Sequence, residues 1–274
     1  MKLFAPKRFI KDRYEFSCQL LAGWVFLFLI TCTVNAQTVA QVAKPTTQID
    51  PSKPSNLYTQ INANLEWQSS ANNNLYGVRA NVQYAFNSNN LFLFEVPLLY
   101  NSKGSATGLG DLRLRYFNVV KRNISPSFIA VAPFLDISIP TGSYEKGLGS
   151  SSWSLAGGLV LGYVVSKKLA LFPGISYVHQ TKAQTSLIPD ALKKTSNGIG
   201  LQFNASYSFN SSTFLFVNPT PSFLNSNGNW TTYWTGELNF NKIVMPNKLK
   251  LNAYWGPNFT NKIHVFRIGA TVYL

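Results

Sequence analysis

Charge is scarce in this chain. Only 12% of its 274 residues are Asp, Glu, Lys or Arg, about half of what soluble globular domains carry, which argues against a fully water-exposed surface. Long apolar runs are equally few. One stretch, 20–34, approaches spanning length, whereas a helical membrane protein needs several runs of about 20 residues. Cysteine is confined to Cys18 and Cys32, and histidine to His179 and His264. No metal-ligand spacing and no glycine-rich phosphate loop appears. Yet 46% of the chain is hydrophobic while mean hydropathy is near zero. The apolar residues must therefore be dispersed in alternation, as β-barrels disperse them.

The N-terminus has the order of a secretion signal. Lys2, Lys7, Arg8, Lys11 and Arg13 precede the apolar stretch, and the small-residue site Val34-Asn35-Ala36 predicts cleavage before Gln37. Leu29-Ile30-Thr31-Cys32 is a poor lipid-attachment site because threonine precedes the cysteine. Both cysteines would leave with residues 1–36, so the mature chain is expected to hold no disulfide or thiol nucleophile. Its net charge would fall from +14 only to +11. A basic balance often marks nucleic-acid binding, but these bases are spread over loops and strands, with no basic helix or aromatic RNA-binding motif. Outer-membrane lipid, lipopolysaccharide and small solutes are the expected partners, and nucleic acid is not.

Residues 37–56 are polar and rich in Pro, Thr and Gln, which predicts a flexible periplasmic leader. From Leu57 the period becomes two. Leu57, Ile61, Ala63, Leu65 and Trp67 share one face, while Gln60, Asn62, Asn64, Glu66 and Gln68 share the other. The same pattern yields twelve strands: 57–68, 75–86, 91–100, 111–120, 128–139, 153–165, 169–180, 198–209, 213–221, 230–242, 248–256 and 262–274. Each is near the ~10 residues of a tilted transmembrane strand. Pro219 and Pro221 are expected to interrupt the ninth. Short turns alternate with longer connections at 101–110, 140–152 and 181–197, as periplasmic turns alternate with outer loops. A short helix is expected within 186–194, after Pro189. The fold class predicted for 57–274 is all-β: a transmembrane antiparallel up-and-down barrel of about twelve strands.

Charge placement strengthens that reading. Glu66, Arg79, Glu95, Asp111, Arg113, Arg115, Asp136, Glu237, Lys250 and Arg267 all fall on the polar face. A lipid-facing Arg or Lys at mid-depth would cost about 2–4 kcal/mol, so these side chains are candidates for lining a lumen. In the register expected from the turns, Glu95 faces Arg115, Arg79 lies one diagonal away, and Asp136 sits nearly opposite Asp111. On the apolar face Trp67, Tyr76, Tyr100, Trp153, Tyr177, Trp234 and Trp255 would form an outer girdle. Phe86, Tyr163, Phe209 and Phe240 would form an inner one. The final segment, Arg267 to Leu274, resembles the C-terminal signal read by barrel-assembly machinery, with Leu274 in place of the usual aromatic residue.

Two stretches go beyond generic barrel character. Glu95-Val96-Pro97-Leu98-Leu99-Tyr100 leads to Gly108-Leu109-Gly110-Asp111-Leu112-Arg113-Leu114-Arg115-Tyr116. Ile139-Pro140-Thr141-Gly142-Ser143 leads to Gly147-Leu148-Gly149-Ser150. Together they resemble the outer-membrane family named for the MetA pathway of phenol degradation, whose members are described as transporters. The resemblance is strongest over 91–165. It implies passage of small, aromatic or hydrophobic, solutes and supplies no catalytic residues.

Catalysis has little to stand on. His179 lies in Tyr177-Val178-His179-Gln180-Thr181-Lys182, where a barrel phospholipase would want a nearby serine and an orienting Asn or Asp. Thr181 holds the nearest position. Arg113 beside Asp111 and Asp136 would keep both carboxylates ionised rather than poise one as an acid. The expectation is a cofactor-free channel, not an enzyme. A lipid-acting barrel enzyme is the alternative, and a structural barrel without transport comes third.

Overall fold

The structure is a computed structural model that describes residues 49–71 and 73–274. The expected signal, 1–36, and the first part of the expected leader, 37–48, lie outside the described residues.

The first strand inverts the arrangement of a soluble protein. Asn62, Asn64 and Glu66 are buried, whereas Leu65 between them is 69% exposed. Polar atoms point to an enclosed interior and apolar ones to the surroundings, the condition for a wall surrounded by lipid. The chain repeats this twelve times: β1 (Gln60–Ser69), β2 (Asn74–Asn87), β3 (Asn90–Asn101), β4 in three pieces (Ala106–Leu109, Leu112–Asn118 and Lys121–Arg122), β5 (Phe128–Ile139) and β6 (Ser154–Val164). There follow β7 (Leu169–Gln180), β8 (Ser196–Asn210), β9 (Thr213–Ser226), β10 (Asn229–Met245), β11 (Leu249–Asn258) and β12 (Ile263–Tyr273). Every neighbour in sequence is a neighbour in space and antiparallel. β1 also pairs with β12 over its whole length, from Gln60 with Tyr273 to Ser69 with His264, so the barrel is closed and no edge is left unpaired.

Outside, all the expected girdle residues take the outward parity, and most are exposed, Trp67 at 43% and Tyr177 at 57% among them. Trp67 stacks on Phe266 across the closing seam, with ring centroids 5.2 Å apart.

Several boundaries differ from the sequence reading. The connection expected at 101–110 shrinks to a tight hairpin, because Asn101 already pairs with Ala106. β4 then shifts register by one residue at Gly110–Asp111 and again near Val119–Val120. Each shift is a bulge, an extra residue that bends the strand. β9 is not interrupted: Pro219 and Pro221 keep their places opposite Gly236 and Trp234 of β10. Their missing N–H groups fall on the β8 side, where the ladder lapses between Gly200–Ser222 and Ala205–Val217. The helix expected near Pro189 is a single 3-10 turn, Asp190–Leu192.

Candidate functional site

The inward side chains divide the lumen into two unlike halves. Along β12, β1, β2, β3, β4 and β5, a belt of charge runs from strand to strand. Arg267 Nε donates to Glu66 Oε2 at 2.6 Å. Arg79 bridges β1 and β3, donating to Glu66 Oε1 at 2.9 Å and to Glu95 Oε1 at 2.7 Å. Arg113 is the register partner of Glu95 and reaches onward to Asp136, Nε to Oδ1, at 2.9 Å. Arg115 donates to the same carboxylate at 2.8 Å. The Glu66 side chain is fully buried and also accepts from Gln68, so its oxygens are saturated. Buried charge is tolerable only when each partner is satisfied in this way. Across the lumen, β6 presents Ser154, Ala156, Gly158, Val160 and Gly162, and β7 and β8 continue with Gly174, Ser176 and Gly200. The inward faces of β6, β7 and β8 carry no charge.

The register corrects two expectations. Glu95 faces Arg113, not Arg115, and Asp136 faces Arg115, not Asp111. The tight 102–105 hairpin and the Gly110–Asp111 bulge set the first pairing, and the 123–127 turn with the bulge near Val119–Val120 sets the second. Asp111 leaves the belt altogether. Its carboxylate accepts Gly142 N at 3.0 Å and Ser150 N at 2.7 Å. Thr141 completes the junction, donating to Gly110 O and accepting from Leu112 N. The two motif stretches thus meet, one tying down the loop that the other begins. Gly149 is needed there, since a Cβ would collide with Asp111 Oδ1.

Glu237 faces the lumen from β10 with no ion pair among the described residues, and Lys250 faces it from β11, its Nζ 5.8 Å from the Phe214 ring centroid. Arg267 packs its guanidinium 4.6 Å from the Tyr254 ring. An amide network went unnoticed in the sequence: Asn62 Nδ2 donates to Thr271 Oγ1 at 2.7 Å, and Asn252 Nδ2 to Asn64 Oδ1 at 2.8 Å. Its signal was there in the inward positions that β1, β11 and β12 share.

Below the belt lies a chamber of about 340 Å³, within the usual range for small-ligand cavities. Its wall is partly apolar, with Leu91, Leu93, Phe117, Val119, Phe172 and Phe216, so the inward face is not polar throughout as the alternation had suggested. Pro51 and residues 53–57 line it as well. Here the expected leader holds defined contacts. Ile49 N donates to Asn247 Oδ1, Asp50 N to the Tyr58 hydroxyl at 2.9 Å, and Ser206 Oγ to Ser52 O. Burial pushes the Tyr58 phenol above its usual range, so it stays a neutral donor and acceptor.

No protein-family model matches the chain, and no curated protein does. Solved structures match it over most of its length. The COG4313 outer membrane channel from Pseudomonas putida F1 superposes with a TM-score of 0.57 at 14% identity, covering 85% of this chain and all of that one. The chain has the fold of an outer-membrane β-barrel. The NanC porin has the same TM-score, 0.57, at 12% identity, over 78% of this chain and 100% of its own. The KdgM porin in complex with disordered oligogalacturonate gives 0.51 at 12% identity, over 78% and 99%. At such identities the likeness is one of fold.

Proposed function

We propose that this outer-membrane β-barrel is a channel for small solutes, aromatic or hydrophobic ones included, whose selectivity resides in the lumen. The observation that carries the reading is the division of that lumen. A self-satisfied charge belt occupies one half, a wall of small uncharged side chains faces it, and a part-apolar chamber lies beneath. A lumen that served only to fill itself would have no reason to segregate charge from glycine, and would not leave a chamber of ligand size. The likeness to solved channels and porins supports the reading through the fold. The resemblance of the 95–116 and 139–150 motifs to a transporter-like family supports the class of solute.

The direct test is electrical. Arg115→Ala removes one lumen cation while Asp136 keeps Arg113. In planar bilayers with a salt gradient, the reversal potential should move toward cation selectivity. A correctly folded variant with an unchanged reversal potential would reduce the belt to a structural ladder, and absence of conductance in the wild type would remove the channel.

A lipid-hydrolysing barrel has one observation in its favour. On the outward face His179 Nδ1 meets Asn197 Oδ1 at 2.6 Å, an orienting contact that a catalytic histidine would need. The nucleophile is what this reading lacks. The Thr181 hydroxyl is occupied, accepting from Trp153 N and donating to Lys182 O. Phospholipid hydrolysis by the purified protein, abolished in His179→Ala, would support this second reading over the first.

A further inference from the structure

Every acid of the belt is consumed by arginine, and Lys250 is not. It enters the lumen between Ile243 of β10 and Thr271 of β12 and has no carboxylate partner among the described residues. The one acid that lines the same chamber is Glu237. It stands six residues up β10 from Ile243, roughly 20 Å along the strand, too far for the two to pair. The surroundings of Lys250 are instead aromatic and neutral. Its ammonium lies over the Phe214 ring, and Phe214 meets Phe216 edge-on at 5.2 Å. Further along β12, Tyr273 is 93% buried, and its hydroxyl has no partner among the described residues.

We propose that the lower chamber binds a small amphipathic organic anion, a carboxylate on a flat apolar body, with Lys250 as the anchor for the charge. The inference rests on the channel reading and gives it a solute class. The chemistry follows from the two surfaces. A half-buried ammonium that faces the chamber without a counter-ion gains most from an anion that brings its own charge into it. Phe216, Phe172, Phe117 and Leu91 offer the apolar body a surface on which its burial is favourable. A simple inorganic anion would use only the first surface, and a neutral hydrocarbon only the second.

The test uses the full chain folded in detergent micelles, with heat-modifiable gel migration as the folding control. Titration calorimetry compares benzoate, which satisfies both surfaces, with acetate and benzyl alcohol, which satisfy one each. Benzoate should bind saturably and more tightly than either. Lys250→Met should weaken benzoate by about tenfold or more and Lys250→Arg should retain it. Phe216→Ala should weaken benzoate while leaving acetate unchanged, which keeps the test alive if Lys250→Met fails to fold. Benzoate no tighter than acetate or benzyl alcohol would overturn the proposal, as would wild-type affinity in a folded Lys250→Met. Conductance without benzoate binding would sink this site and spare the channel. Benzoate binding without conductance or flux would do the reverse.

Discussion

Replacing Glu66 by Gln keeps its shape and removes the charge that Arg79 and Arg267 share. Arg79 Nη2 reaches its carboxylate at 2.9 Å and Arg267 Nε at 2.6 Å, and Arg79 Nε makes a third contact. At an effective dielectric of 20 each has a gross Coulomb energy of about 6 kcal/mol, most of it offset by the desolvation of the ions. What remains is the cost of a buried charge left without its partner, about 3–5 kcal/mol. Arg79 keeps Glu95, so the loss falls on Arg267. Beside a neutral amide oxygen, that guanidinium keeps the Tyr254 ring at 4.6 Å, worth about 1–2 kcal/mol. Glu66→Gln should therefore destabilise the barrel by about 3 kcal/mol. The double variant Glu66→Gln/Arg267→Gln should recover part of this, because the orphaned charge is gone. Urea unfolding from phospholipid vesicles, followed by tryptophan fluorescence, measures both, and Trp67 on Phe266 reports from the same seam. A single variant within about 1 kcal/mol of wild type, or a double variant less stable than the single, would refute the reasoning.

Three further outcomes are expected. Cysteines introduced as Ser105→Cys and Lys194→Cys should react with an impermeant thiol reagent on intact cells, and labelling only after outer-membrane disruption would invert the topology. Deleting 49–55 removes the contacts at Ser206 and Asn247 but no strand; heat-modifiable migration should survive while conductance rises, and loss of the folded band would make the segment part of the barrel. Asp111→Ala should free the 142–150 loop from its two backbone anchors. Proteolytic nicking there should quicken with little change in ion selectivity, whereas a shifted reversal potential would return Asp111 to the lumen.

Period-two alternation made the wall legible. A residue that must face lipid and its neighbour that must face water leave a mark at every step, and Glu66, Arg79, Glu95 and Arg267 could be assigned to one face by parity alone. Register is another matter, because it depends on how many residues the turns and bulges consume. Gly110–Asp111 looked like the entry to a strand and is a bulge within one. That single extra residue, with the tighter hairpin before it, put Arg113 opposite Glu95, and a second bulge near Val119–Val120 put Arg115 opposite Asp136. The prolines misled for a related reason: Pro219 and Pro221 break hydrogen bonds toward one neighbour only, so a strand held on its other side runs through. The chamber was invisible to alternation, since Leu91, Phe117 and Phe172 point inward and only spatial neighbours reveal why. Lys250 was placed on the inner face, but its lack of an acid could be seen only once each carboxylate of the belt had its partner.

The position of Glu66 on the first strand and Arg267 on the last gives the charge belt a role in assembly. The two are 201 residues apart in sequence, and they meet only when the chain's ends come together. Until then Arg267 would have to enter the membrane without a carboxylate, on a strand whose other neighbour offers it only an aromatic ring. An incomplete barrel thus carries an electrostatic penalty that the finished one lacks, so closure is cooperative. Sheets that open or slip at this seam lose the hydrogen-bond ladder and the ion pair at once, and the pair works as a latch against them.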